Sequence, residues 1–247
     1  MKETTVPAGG AAWAWTVVIP FKGGPGAKSR LGTGTPGTAG FRPDVRQALA
    51  LAFLADTVAA AQAVPAVGRI VIASSDQAVL TVPDIVLVAD PGRGLNAAVT
   101  AGVEWAREQQ DGGPVAVLAG DLPSLTSGDL AAALDLAAGH RLALVPDRHG
   151  TGTTLITAAP GTELVPRFGP GSCEAHRRDG HFLLPVSAAS TLRADVDTPA
   201  DLDRALRRGT GPRTRAIVLR SGPTAAGGTI RNGSRAWRPA RPSAASA

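Results

Sequence analysis

Short runs of Val, Ile and Leu recur along this chain between longer Ala-rich stretches, and that alternation limits the possible folds more than any other feature. A run with no polar residue at every second place must be buried on both faces, which calls for a parallel sheet covered by helices. Runs at 16–20 (TVVIP), 69–73 (RIVIA), 85–89 (IVLVA), 115–119 (VAVLA) and 142–146 (LALVP) are the expected strands. Helices are expected near 44–63, 75–81, 95–110 and 126–138. This order predicts right-handed βαβ crossovers and a three-layer α/β/α, Rossmann-like domain with a mostly parallel sheet.

After Pro146 the pattern changes. Two short segments, 153–158 (TTLITA) and 182–186 (FLLPV), flank a Gly-rich stretch and read as mixed strands that close over the site. A last helix is expected from Thr198, with Pro199 at its first position. From about Gly209 the chain is Gly, Pro, Ser, Ala and Arg without hydrophobic period, so burial cannot offset its ordering entropy. The expected organisation is a flexible segment 1–12, one domain over 13–208 and a disordered tail over 209–247, with Ile217 to Leu219 as the only anchor.

Charge follows the same division. The 25 basic and 20 acidic residues give +5, yet no acidic residue lies beyond Asp203, whereas ten basic ones do. The body is therefore acidic and the excess belongs to the tail, which argues against nucleic acid as the partner of the domain. A non-catalytic polyanion binder working through the Arg-rich tail is the rival class. Cys173 is the only cysteine, so a Cys-based zinc site lacks ligands and a bound metal must be held by oxygen. No segment approaches the roughly 18 apolar residues of a membrane span, and a cytoplasmic protein is expected.

Five segments carry candidate chemistry. The first strand runs into Pro20-Phe21-Lys22-Gly23-Gly24-Pro25-Gly26-Ala27-Lys28-Ser29-Arg30-Leu31, a cationic Gly-rich loop at the carboxyl end of a parallel strand, where open α/β sheets bind ligands. Its glycines let N–H groups approach phosphate, and Lys22, Lys28 and Arg30 supply positive charge. It is neither a Walker A loop, since Ala27 precedes Lys28, nor a dinucleotide fingerprint, since no G-x-G-x-x-G opens the helix. Asp121, in Ala119-Gly120-Asp121-Leu122-Pro123, emerges at the same sheet edge. A carboxylate beside phosphates makes sense when a divalent cation lies between them; the alternative is a turn or cap aspartate.

In Asp195-Val196-Asp197-Thr198-Pro199 an extended backbone points both carboxylates one way, or else Asp197 or Thr198 caps the next helix. With Asp121 they form a trio suited to Mg²⁺. Phe168-Gly169-Pro170-Gly171-Ser172 reads as an anion nest before a helix over 173–178, with hydroxyls from Gly150-Thr151-Gly152-Thr153-Thr154 available to the same anion. Of the four histidines only His176, with Arg177 beside it, is close to that nest. Cys173 has no His partner that would activate it as a nucleophile.

Together with Gly94-Leu95-Asn96, these motifs resemble, in order, the guanylyltransferases of coenzyme F420 biosynthesis, which act on phosphoenolpyruvate or 2-phospho-L-lactate. The resemblance runs from about Trp15 to Arg208; the Gly/Thr insertion at 33–40 and the Arg-rich tail fall outside it. It implies the nucleotidyltransferase fold shared with molybdopterin guanylyltransferases. It also implies Asp121, Asp195 and Asp197 as metal ligands, with Asp121, Asp197 and Lys28 catalytic. Thr154, Gly169 and Ser172 would then hold the acceptor, and Lys22, Lys28, Arg30 and Asn96 the nucleotide. Implied substrates are GTP and phosphoenolpyruvate, with 2-phospho-L-lactate, a sugar phosphate or molybdopterin as alternative acceptors. Mg²⁺ is the implied cofactor, and a downstream transferase of the same biosynthesis an implied partner.

Overall fold

A computed structural model describes residues 14–24, 26–32, 40–109 and 112–221. The expected flexible segment 1–12, the 33–40 insertion apart from Gly40, and the tail beyond Ser221 lie outside the described residues. The expected strands form one seven-stranded sheet: β1 (Trp15–Pro20), β2 (Val67–Ala73), β3 (Val86–Val88), β4 (Val115–Leu118), β5 (Leu142–Pro146), β6 (Thr153–Ala158) and β7 (Phe182–Leu183), in the order β3-β2-β1-β4-β6-β5-β7. β1 pairs in parallel with both β2 and β4, and β2 with β3. The chain thus steps outward from β1 to β3 and returns to the far side of β1, a topology that opens a crevice at the carboxyl ends of β1 and β4.

Alternate residues of each strand serve opposite faces. Val17, Ile19, Ile70, Ile72, Ala116 and Leu118 pack with α1 (Pro43–Gln62) and α3 (Ser127–Ala137). Their sequence neighbours Val18, Val71 and Val117 pack with α2 (Leu95–Gln109), and Cys173 of α4 (Ser172–Arg178) belongs to the same cluster. Crossovers of one hand that travel in opposite directions place their helices on opposite sides of a sheet, which accounts for α1 and α2 covering different faces. Two-sided burial is what the unbroken apolar runs required.

The half after Pro146 departs from expectation. β6 does not close over the site; it is inserted antiparallel between β4 and β5 and belongs to the main sheet. β7 is a two-residue edge strand parallel to β5 and shorter than the segment expected at 182–186. The helix expected at 75–81 is a 3-10 turn over Gln77–Thr81, opened by the Asp76 carboxylate accepting from Ala78 N.

The last helices, α5 (Pro199–Arg208) and α6 (Pro212–Ser221), differ in how visible they were. Thr198 caps α5 and Pro199 sits at its first position, as expected; Asp201 completes a capping box. α6 falls where disorder was expected. Its first turn is held by Asp56, a buried carboxylate in the middle of α1 that accepts from Arg213 N at 3.1 Å and Thr214 N at 2.9 Å. Ile217 and Val218 then pack on a small cluster built by Leu31, Phe41, Leu49, Phe53, Val196 and Leu202. The anchor residues expected in the tail supply part of this contact, but the cap comes from α1, 157 residues before Arg213. Asp56→Ala is expected to cost about 1–2 kcal/mol, the usual worth of a helix cap, read as a lower urea midpoint at unchanged slope; an unshifted midpoint would show that Asp56 does not hold α6.

Candidate active site

A cleft of about 550 Å³ lies at the carboxyl edge of β1, β4 and β5, lined on one side by Phe21, Lys22, Lys28 and Arg30 and on the other by Thr153, Thr154, Gly169 and Ser172, with Asp121, Asp147, Asp195 and Asp197 also in its wall. The two loop systems read as anion-binding in the sequence therefore face a single space, as do the three aspartates proposed as a trio.

Each carboxylate is positioned by backbone. The peptide after Asp121 is fixed because Leu122 N donates to Thr57 Oγ1 of α1 across 3.1 Å. Asp121 O accepts from Val196 N at 3.0 Å, which ties the 195–197 strand-like segment to the end of β4. Val196 is buried, so its neighbours Asp195 and Asp197 are the ones that reach the cleft. Thr198, rather than Asp197, caps α5, and Asp197 N donates to Asp201 Oδ2 at 3.3 Å. The Asp197 carboxylate is thereby left to the cleft. Although burial works to raise it, hydrogen bonds led by those from Thr198 hold the Asp201 carboxyl down at about 2.

Lys28 answers the carboxylates. Its ammonium donates to Asp121 Oδ2 and, at 2.8 Å, to Asp197 Oδ1. Burial favours the neutral amine, but the charges of Asp121 and Asp197 overcome it and hold the Lys28 pKa above its ordinary value. Lys28 also adopts φ +49°, a left-handed conformation that a side chain disfavours by about 1 kcal/mol. Such strain persists where surrounding contacts over-determine it. Arg30 is mostly exposed and reaches Asp197 Oδ2 at 3.6 Å, while Lys22 is exposed at the rim.

Asp195 forms no ion pair among the described residues. Burial, followed by the charges of Asp121, Asp197 and Asp147, pushes its carboxyl up to about 7. Lys28 and the mostly exposed Arg30 do not balance the four aspartates gathered here, and the donor set is oxygen only, which suits a hard divalent cation. As placed, Lys28 lies between Asp121 and Asp197, and no three His, Cys, Asp or Glu side chains among the described residues are gathered as a metal-ligand set.

On the opposite wall, Gly169 and Gly171 take φ +139° and +73°, values that exclude other residues without strain, and bring Ser172 to the start of α4. Ser172 Oγ lies 3.1 Å from Thr153 Oγ1. Thr154 lines the cleft, but its hydroxyl donates to Val145 O at 3.4 Å, so the hydroxyl standing with Ser172 is that of Thr153. Asn96, expected beside the nucleoside, instead clasps the Phe168 peptide: Nδ2 donates to Phe168 O at 3.1 Å and Oδ1 accepts from Phe168 N at 2.8 Å. Cys173 is buried and its thiol is pushed up by burial, the reverse of nucleophile activation.

One wall residue, Asp147, is not among the sequence candidates. Asp147 follows β5 as Asp121 follows β4, a signal that was available; its Oδ1 accepts from Thr151 N at 3.0 Å and shapes the turn that delivers Thr153. Thr153 belongs to the Gly150–Thr154 segment expected to supply hydroxyls, and nothing in a Thr-Thr pair says which hydroxyl stands beside Ser172.

Comparison with known proteins gives a consistent result. A family model described as "Guanylyl transferase CofC like" matches residues 15–222. The chain is 44% identical over 210 residues to a phosphoenolpyruvate guanylyltransferase of Streptomyces coelicolor, covering 83% of this chain and 96% of the relative. It is 45% identical over 214 residues to the phosphoenolpyruvate guanylyltransferase of Streptomyces scabiei, with the same coverage. Among solved structures, a nucleotidyl transferase from Methanothermobacter thermautotroptrophicus superposes with TM-score 0.54 at 19% identity over 80% of this chain and 99% of that one. A 4-diphosphocytidyl-2C-methyl-D-erythritol synthase gives TM-score 0.54 at 15% identity over 79% and 98%. At those identities the structures speak for the fold alone, which is the expected nucleotidyltransferase architecture.

Proposed function

This chain belongs to the CofC-like guanylyl transferase family, and from that membership we propose that it transfers GMP from GTP to phosphoenolpyruvate, releasing pyrophosphate. The observation that carries the reading is the cleft itself: a cationic loop, a glycine-hydroxyl nest and a cluster of aspartates line one space, an arrangement that supports separate seats for two anionic substrates. Relatives at 40–45% identity named phosphoenolpyruvate guanylyltransferase support that acceptor over 2-phospho-L-lactate. These substrates are metabolites of the cytoplasm, where this reading puts the enzyme. The described residues include no helix long and apolar enough to cross a membrane.

In the proposed reaction an oxygen of the acceptor's phosphate attacks the α-phosphorus of GTP, the bond from that phosphorus to the bridging oxygen breaks, and pyrophosphate leaves. A phosphate monoester is already anionic near neutral pH, so no side chain must remove a proton from it. The barrier to overcome is repulsion between anions. Lys22, Lys28 and Arg30 offset it on the nucleotide side, while Gly169 and Ser172 orient the acceptor. Asp121, Asp195 and Asp197 would hold Mg²⁺, which, when bound, neutralises triphosphate charge and polarises the α-phosphate.

Ser172→Ala is expected to raise the acceptor KM roughly tenfold while leaving the GTP KM nearly unchanged, because the lost contact is to the acceptor. Equal changes in both would remove Ser172 from that subsite. The reading as a whole is tested by mass spectrometry of products from the four NTPs crossed with phosphoenolpyruvate and 2-phospho-L-lactate, with Mg²⁺ present or omitted. The expected product is the guanosine diphosphate ester of enolpyruvate. Failure of GTP to react with either acceptor would overturn the reading.

A further inference from the structure

His176 is fully buried behind the acceptor wall and meets it through Thr153 and through the Ser172 backbone, one turn earlier in α4. Its Nε2 lies 2.9 Å from Arg167 N, and its Nδ1 lies 3.1 Å from Thr153 Oγ1. The ring is held edge-on by Phe168 and His181, each at a centroid distance of 5.1 Å. Burial, and next the neighbouring His181, push its pKa down to about 4, so the imidazole is neutral where the enzyme works.

The tautomer then follows from hydrogen accounting. A backbone N–H can only donate, so Nε2 must accept and the single ring proton is on Nδ1. Toward Thr153 Oγ1, Nδ1–H can then act only as a donor, and the Ser172 carbonyl is a second acceptor beside the ring. The Thr153 and Ser172 hydroxyls hold two hydrogens, of which one closes the 3.1 Å contact between them. With the opposite tautomer, the second hydrogen could be absorbed by an accepting Nδ1. Here that sink is closed, and the remaining O–H has nowhere to point within this group but the cleft.

We infer that His176 is a positioning residue for the acceptor subsite: the Arg167 peptide sets its tautomer, and that tautomer makes the Thr153–Ser172 hydroxyl pair an obligate donor to the anionic acceptor. This rests on the functional reading above. It also accounts for the Asn96 clasp, since Asn96 and His176 bind the successive N–H groups of Phe168 and Arg167 and so set the approach of the chain to Gly169.

The test pairs kinetics with spectroscopy. His176→Phe keeps a ring but loses both nitrogens, and should raise the acceptor KM at least ~10-fold, the loss of one hydrogen bond to a charged group, while the GTP KM stays within about twofold. His176→Asn, whose Nδ2 replaces the donor at Nδ1, should recover most of that loss. Adding Ser172→Ala to His176→Phe should raise the acceptor KM by less than it does in the wild type, because the two act through one hydrogen. Parallel rises in both KM values, an Asn variant as impaired as Phe, or full additivity with Ser172→Ala would each overturn the proposal. Nitrogen-15 NMR of the histidine-labelled wild-type protein should show His176 as the Nδ1–H tautomer, and an Nε2–H signature would also overturn it. That measurement needs neither a variant that folds nor a substrate that reacts. If the wild type transfers GMP to no phospho-acid, the functional reading fails, while the tautomer is still decided.

Discussion

Asp197→Asn should lower turnover at ordinary Mg²⁺ concentrations by ~10²–10³-fold or more while the thermal midpoint barely moves. The two halves of this expectation come from different features of the residue. Its side chain is 43% exposed and its neighbour Thr198 performs the capping of α5, so the fold does not depend on the carboxylate. In the cleft, by contrast, that carboxylate meets Lys28 and Arg30 and shares the wall with Asp121 and Asp195. Asn keeps the shape and one acceptor oxygen but removes the charge that a divalent ion and an ammonium both require. Initial rates of pyrophosphate release against Mg²⁺ concentration are the measurement. Loss that higher Mg²⁺ partly restores supports a ligand role, whereas near wild-type rates would take Asp197 out of the metal site.

Lys28→Met is the second large effect, expected to reduce kcat/KM for GTP by roughly 10²–10³-fold, the scale for losing one positioned charge at a developing anion. Methionine preserves most of the stem, so what is lost is the ammonium between Asp121 and Asp197. The sign of its pH dependence follows from the shift. The folded-state pKa of Lys28 is raised above the unfolded value, so its stabilising contribution is fully present below the unfolded pKa near 10.5 and is lost as pH rises through the higher folded value. The stability difference between wild type and Lys28→Met should therefore be flat from neutral pH to about 9 and shrink only in strong alkali. A difference that disappears below pH 9 would show that the carboxylates do not hold the ammonium. Activity reduced less than about fivefold would show that phosphate charge is met elsewhere, by Lys22 or Arg30.

Much of the site was legible because its parts follow strands. Lys28 after β1 and Asp121 after β4 had to emerge at one edge once the strands were parallel, and Asp147 after β5 obeyed the same rule although it was overlooked. Asp195 and Asp197 shared a face through the period of two in an extended segment. Asn96 shows where such reasoning stops. Its place at the start of α2 was as expected, but whether its amide met a ligand or the Phe168 peptide depended on a loop 72 residues away.

From sequence alone came the strands, most of the helices that cover them, the sheet edge where the cleft opens and the chemical types gathered there, since each depends on local periodicity and on connection rules that act over short range. Tertiary structure decided the insertion of β6 between β4 and β5, the docking of α6 on the buried Asp56, the choice of Thr153 over Thr154 beside Ser172, and the tautomer of His176. Each of those is settled by hydrogen bonds between separate segments of chain, and the partner of a polar group is set by whichever segment arrives within about 3 Å of it.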